Sequence, residues 1–418
     1  MNGNNEHPKA KFVINNIVDT DDNPFDRQER IAWWDQEKLK NARVMVVGAG
    51  AIGNETLKNL ALLGIGNIFI VDFDTISTSN LSRTVLFRQA DKGKKKAEIA
   101  ALRTKEMSLL EDANVSWFHG DAVWDLGTGV FRSMDIVLGC LDNVETRLGT
   151  NRQCWLAKTP WIDSGIYELG GHVSVFIPPE PPCYQCGASN EQLIAARKRY
   201  SCDDFKRSVL DEGKMPTVQI TSSIISAIQV QEAIKFLCGQ RVESGKKIYF
   251  QGRINDFAVL GLPKNENCDV HGTSYPEIIP LPLSSSVKLK DFLEYVTQDQ
   301  YSGADASLDF RSDRTFVVSV SCNSCGSKIE MYKPTFRIFD TEIICGECKQ
   351  KGIQANSELM AEKQIEVCFN LLKTDEKILD MSLSELGIPN RHVVAVYDKH
   401  NNYKYYELSE DTSIFQTC

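Results

Sequence analysis

Short apolar runs alternate with longer amphipathic stretches over the first two thirds of the chain. Val44 to Val47 and Ile68 to Val71 are too short for free-standing helices and read as strands buried on both faces. Similar runs at Val115 to Phe118, Ile136 to Leu138 and Trp161 to Ser164 predict three more strands. The stretch after the first strand carries Leu57, Leu60, Leu62 and Leu63 on one broad apolar face, which predicts a helix packed on a sheet. Ahead of it, the segment from Phe25 to Arg43 predicts helix up to the first strand. Strand and helix in alternation imply an α/β fold with a doubly wound sheet. The alternating His172 to Ile177, Ile248 to Gln251 and Phe257 to Leu260 complete that sheet, with a long helix from Thr217 to Leu237 behind Pro216. Beyond a linker at Asn265 to Tyr275 the composition changes. An apolar run at Ile278 to Leu283, helices at Val287 to Val296 and about Leu359 to Leu372, and two alternating strands flanking Asn401 and Asn402 predict a small α+β domain ending in a hairpin. The domain reading is a flexible polar lead-in over 1–23, a nucleotide domain over 24–272 and a C-terminal domain over 273–418.

The first strand delivers the chain to Gly48, Gly50 and Gly53, a G-x-G-x-x-G at a strand-to-helix turn. Glycine permits the sharp turn and lets a phosphate reach backbone N–H groups at the positive end of a helix. The second strand ends at Asp72, about twenty positions past the last glycine, where a dinucleotide fold keeps a carboxylate for ribose hydroxyls. A nicotinamide dehydrogenase would fit that much. It would not need Asp74, Ser79, Asn80, Arg83 and Lys96 just beyond the second strand. A site that holds a triphosphate during attack on its α-phosphorus does need such donors, because charge grows on the phosphoryl oxygens. A solvated helix start is the plainer account of the basic run Lys92 to Lys96.

The spaced pattern D-x-D-x-I-x-x-S-N-L-x-R, followed by G-x-x-K-A, resembles the ubiquitin-activating superfamily, which includes the bacterial adenylyltransferases of molybdopterin and thiamine biosynthesis. The resemblance implies a Rossmann-like, ThiF-type adenylation domain that uses ATP and Mg2+. Asp72 and Asp74 would serve the ribose side of the site, and Asn80, Arg83 and Lys96 the phosphates. It implies that Asp142, in Gly139-Cys140-Leu141-Asp142-Asn143, holds the magnesium; capping the next helix is its other use, which Asn143 can fill instead. An arginine near the N-terminus, Arg27 with Arg30 as the spare, would cross a homodimer interface to the partner's ATP, although a surface ion pair explains it as well. The run I-Q-x-Q-E-A-I-K resembles the helix that follows the family's crossover loop, here about 187–215. That loop's cysteine, Cys202, would carry the thioester, flanked by Lys198, Arg199, Lys206 and Arg207 that favour a thiolate and by Asp203 and Asp204 that oppose it.

Thirteen cysteines are many for a chain with no signal-peptide pattern and no long apolar span, a cytosolic profile in which close cysteines point to metal. Cys183-x-x-Cys186 with Cys268-x-x-His271 predicts a structural zinc knot, against a redox pair that lacks a thioredoxin-like context. Cys322-x-x-Cys325 and Cys345-x-x-Cys348, spaced as in a zinc ribbon, predict a second structural zinc. A net charge of −9 argues against a general nucleic-acid binder, and no run suits a membrane helix. The C-terminal layout resembles a β-grasp module around the ribbon, which in activating enzymes recruits the conjugating carrier. The whole chain looks most like the activating enzyme of a bacterial ubiquitination-like operon. A sulfur-carrier adenylyltransferase and a non-catalytic scaffold are the rival readings.

Overall fold

The computed structural model describes residues 23–193, 217–300, 308–322, 325–338, 342, 345–350, 364–370, 374–398, 402–410 and 414–417. The lead-in over 1–22 and most of the crossover segment, Cys202 included, lie outside these residues.

The predicted first helix is two short ones, α1 (Asp26–Glu29) and α2 (Gln36–Asn41). Asp35 breaks the run: its carboxylate accepts from the Lys38 N–H at 3.0 Å and restarts the helix. Five strands then follow in parallel, β1 (Arg43–Val47), β2 (Asn67–Val71), β3 (Asn114–Phe118), β4 (Ile136–Gly139) and β5 (Trp161–Tyr167), in the order β3-β2-β1-β4-β5. Their crossovers hold α3 (Ala51–Leu62) and α4 (Lys96–Met107) on one face, and α5 (Thr128–Arg132) and α6 (Val144–Ala157) on the other. Leu57 and Leu60 are buried as predicted, but Leu62 is 43% exposed because it ends the helix and turns away from the sheet. The sheet continues antiparallel through β6 (Gly170–Phe176), β7 (Lys246–Gln251) and β8 (Asp256–Gly261), and α7 (Gln219–Leu237) packs on the α3 face. The order in which strands are added reverses between the parallel β1 and β4, so their carboxyl ends open a ligand crevice.

A second core surrounds β9 (Ile278–Leu281) and α8 (Leu289–Gln300), then β10 (Asp309–Ser321) and β11 (Lys328–Pro334). After α9 (Gly346–Gln350) comes β12 (Gln364–Asn370), where helix was predicted; α10 (Glu376–Leu379) and the hairpin β13 (Val393–Tyr397) and β14 (Tyr403–Leu408) follow. Residues Gln364 to Asn370 alternate Ile365, Val367 and Phe369 with polar neighbours, a period of two that pairs antiparallel with β10. The strands run β11-β10-β13-β14-β9, with β9 parallel to β14 and α8 over one face.

The two cores are bound together. Arg314 of β10 is 2% exposed, donates to the Val123 carbonyl at 2.9 Å and stacks over Trp124. Glu407 of β14 is paired with Arg132 and with Arg391, the latter at 2.8 Å. The last described residues, β15 (Gln416–Thr417), add an antiparallel strand to the outer edge of β3. Ile414 is buried there and the Phe415 ring lies 4.7 Å from Phe69. The C-terminal tail thus helps cover the face of β2 and β3 that the short α5 leaves open.

Candidate active site

The crevice is built from backbone outward. Gly48 has φ of +96°, and a Cβ there would stand 2.5 Å from the Cys140 carbonyl oxygen, so only glycine fits. At Gly53 a Cβ would meet the Gly48 carbonyl oxygen at 2.0 Å. Gly50 differs: it caps α3, and nothing lies within 4 Å of the place its Cβ would take. That open space at the first turn of a twelve-residue helix suits an anion approaching free N–H groups. Asn54 locks the turn from below, donating to the Ala49 and Gly50 carbonyls at 2.7 and 3.0 Å and accepting from Leu86 N–H.

Asp72 and Asp74 come to the same end of the sheet. Asp72 accepts from the Ala49 N–H and the Asp74 N–H, each at 2.7 Å. Burial pushes its carboxyl above the ordinary range against the pull of Lys96 and the two amides. Lys96, at the start of α4, is buried and donates to Asp74 at 2.6 Å. The basic run is therefore more than a solvated helix start, since its last lysine turns inward. Asn80 and Arg83 sit on a 3-10 turn (Thr78–Asn80) and just after it; the Asn80 side chain accepts from the Ser77 N–H at 2.9 Å, and Arg83 donates to the Ser79 carbonyl at 3.1 Å. Both are partly or fully exposed, with donor groups left over for a ligand.

Across the switch point, Asp142 follows β4. Asn143 takes the N-cap of α6, accepting from the Thr146 N–H at 2.8 Å, and Asp142 stays exposed, accepting from the Asn143 amide at 3.2 Å. The capping alternative for Asp142 is thereby filled by its neighbour. Cys140 is buried, and desolvation pushes its thiol up to about 12, as suits a packing residue. Near the N-terminus, Arg30 pairs with Asp26 along α1, whereas Arg27 is exposed with no partner among the described residues.

Sequence reading missed the buried polar groups that hold this crevice. Gln229 donates to the Gly139 and Ile162 carbonyls at 3.0 and 2.9 Å, and accepts from Thr56. It lies inside the I-Q-x-Q-E-A-I-K run, and a glutamine amid an apolar helix was the available signal. Arg147 pairs with the fully buried Asp163 at 2.9 Å.

Both predicted cysteine clusters assemble. Cys183 Sγ lies 3.9 Å from Cys186 Sγ and 3.7 Å from Cys268 Sγ, and Cys186 Sγ lies 3.3 Å from His271 Nε2. In the second cluster the sulfurs of Cys322 and Cys348 are 3.7 Å apart, and those of Cys325 and Cys345 are 3.5 Å apart. Tetrahedral zinc with thiolates at about 2.3 Å sets its sulfurs about 3.8 Å from one another, so both ligand sets fit zinc with no open position.

A model of the ThiF family matches residues 25–270. The chain belongs to the ThiF family. Over 249 residues it is 31% identical to molybdopterin-synthase adenylyltransferase of Escherichia coli, covering 57% of this chain and 90% of that one. Over 166 residues it is 39% identical to SUMO-activating enzyme subunit 2 of Dictyostelium discoideum, covering 40% of this chain and 24% of that one. The crystal structure of E. coli MccB with ATP superposes with a TM-score of 0.50 at 24% identity, covering 60% of this chain and 75% of the other, which shows a shared fold. As a ThiF family member, the chain has its Gly50 cradle, Asp72 and Lys96 within the matched residues, while the second cysteine cluster lies beyond them.

Proposed function

We propose that this protein activates the C-terminal carboxylate of a ubiquitin-like protein with ATP, takes the acyl group onto Cys202 and passes it to a conjugating carrier. The observation that carries the reading is the cluster of Asp72, Asp74 and Lys96 beside an open glycine cradle. A cation at the phosphates and carboxylates at the sugar are the donor set a nucleoside triphosphate needs. In this reading Asp72 takes the ribose hydroxyls, and the α3 N-terminus, Asn80, Arg83 and Lys96 take the phosphates. Magnesium, arriving with ATP and met by Asp142, offsets phosphate charge. A carboxylate oxygen of the substrate attacks the α-phosphorus, the bond to the β-phosphate oxygen breaks, and pyrophosphate leaves with that electron pair. The Cys202 thiolate then attacks the acyl carbonyl and AMP departs, leaving a thioester.

Arg27, unlike Arg30, is unengaged among the described residues, which favours it as the group that reaches a partner subunit's nucleotide in a homodimer. Ile254, Phe257, Val259 and Leu260 are each more than half exposed along the open β8 edge, an apolar patch suited to the substrate protein. The parallel pairing of β9 with β14 under α8 supports a β-grasp-like carrier-docking domain over 273–418.

A sulfur-carrier adenylyltransferase is the second reading, favoured by the match along 90% of the E. coli molybdopterin relative. The scaffold reading has the intact crevice against it. Incubation with ATP, magnesium and ubiquitin-like proteins ending in glycine, followed by a non-reducing gel, separates them. A thiol-sensitive adduct lost in Cys202→Ala supports the first reading; pyrophosphate exchange without adduct supports the second; neither revives the scaffold.

A further inference from the structure

The helix that begins at the Asp142 loop also grips the first cysteine cluster. Three residues of α6, Arg147, Asn151 and Trp155, recur every four positions and share one helix face. Trp155 stacks on the His271 ring with centroids 4.7 Å apart. Asn151 accepts from the Tyr184 N–H at 2.9 Å, between Cys183 and Cys186. Arg147 holds the other end. Its Nη2 donates to the Leu141 carbonyl at 2.6 Å and to the Ser164 carbonyl at 3.0 Å, and its Nε donates to Asp163 at 2.9 Å. The Leu141 carbonyl belongs to the peptide that leads into Asp142, so holding that oxygen fixes the plane from which the carboxylate projects.

We propose that Arg147 is a positioning residue that, through the α6 face it shares with Asn151 and Trp155, ties the first cysteine cluster to the Leu141–Asp142 peptide, so that the cluster's integrity sets the affinity of Asp142 for the divalent cation that accompanies the nucleotide. The proposal rests on the reading of Asp142 as a cation ligand. Arg147 touches neither nucleotide nor cation. Its five donors in a fixed plane allow one side chain to hold two carbonyls and a carboxylate at once, which lysine cannot do. The fully buried Asp163 keeps the guanidinium in that plane.

The test is Mn2+ binding, read by electron paramagnetic resonance in the presence of a non-hydrolysable ATP analogue, on the full-length chain with its zinc content measured. Groups that orient a metal ligand are worth roughly 10–100-fold in metal affinity. Arg147→Lys is expected to weaken Mn2+ binding within that range, while AMP, which needs no cation, binds as in the wild type. His271→Cys, which keeps a zinc ligand but removes the ring on which Trp155 stacks and leaves the Arg147–Asp163 pair intact, is the variant safest for folding. It is expected to weaken Mn2+ by roughly 2–10-fold, one stacked ring pair's worth, with zinc content unchanged. Wild-type Mn2+ affinity in both variants, beside a weakened Asp142→Asn, would overturn the proposal and spare the reading of Asp142. Wild-type affinity in Asp142→Asn would overturn that reading and the proposal with it. Loss of AMP and Mn2+ binding together in His271→Cys would overturn the proposal by showing a merely structural role.

Discussion

Two glycines two residues apart, Gly48 and Gly50, do different jobs, and substitution separates them. Gly48→Ala meets both a positive φ and the Cys140 carbonyl, so it is expected to cost at least about 1–3 kcal/mol, visible as a lower melting temperature without any ligand. Gly50→Ala faces open space, so its cost to the fold is expected to stay near 1 kcal/mol or below, the cap preference alone. Its Cβ would instead stand where a phosphate approaches, and ATP affinity measured by calorimetry is expected to fall tenfold or more if the cradle holds phosphate, since one displaced charged hydrogen bond is worth about 1.5–3 kcal/mol. Both glycines were legible from their spacing. Their division of labour was not, because it depends on what packs against each Cα: the β4 end against Gly48, and nothing against Gly50. Gln229 and Arg147 escaped for the same reason. A polar residue in a helix shows its partner only once strands distant in sequence lie beside it.

The element scale is where the two cores meet. Burial works to raise the Asp313 carboxyl, and His392, Arg314 and Arg152 more than reverse this, holding it well below the ordinary range. His392 Nε2 lies 2.9 Å from it, and burial lowers the histidine's own proton affinity. An acid depressed in the folded state lends stability above its unfolded value of about 3.9, and that contribution is lost as pH falls below this value towards the folded one. Acid unfolding is therefore expected to steepen below about pH 4, and Asp313→Asn to flatten that slope while costing about 3–5 kcal/mol at neutral pH. Circular dichroism across pH for the two proteins checks both. Deleting residues 414–418 is expected to lower stability by at least roughly 1.5–3 kcal/mol, the worth of burying Ile414 alone. Thermal melts would show it, and an unchanged melt would mean that the tail is not part of the core. Most elements could be read locally, the helices from one-sided apolar faces and the central strands from short apolar runs buried on both faces. The exceptions were elements decided by neighbours: β12 is a strand through pairing with β10, and β15 exists because β3 offers an unpaired edge.

At the scale of the molecule, each cysteine cluster ties chain segments that lie far apart in sequence or cap a hairpin. The first joins the end of β6 to the linker before β9; the second closes the β10–β11 turn onto α9. A strong chelator is expected to release two zinc ions per chain, counted by a colorimetric indicator, and to lower the melting temperature. Cys268→Ser is expected to release one and leave the ribbon loaded. The sequence by itself determined the elements that make up the sheet, the glycine turn and both quartets of potential metal ligands. Each of those is written locally: a glycine turn, short apolar runs or a period of two, and pairs of ligands with two residues between them. Only the tertiary structure decided how the halves join, which arginine near the N-terminus is unengaged among the described residues, and that one helix spans from Asp142 to the first cysteine cluster. Those outcomes depend on long-range packing and on the burial of charges whose partners arrive from other elements, and burial, unlike spacing, is a property of the folded chain.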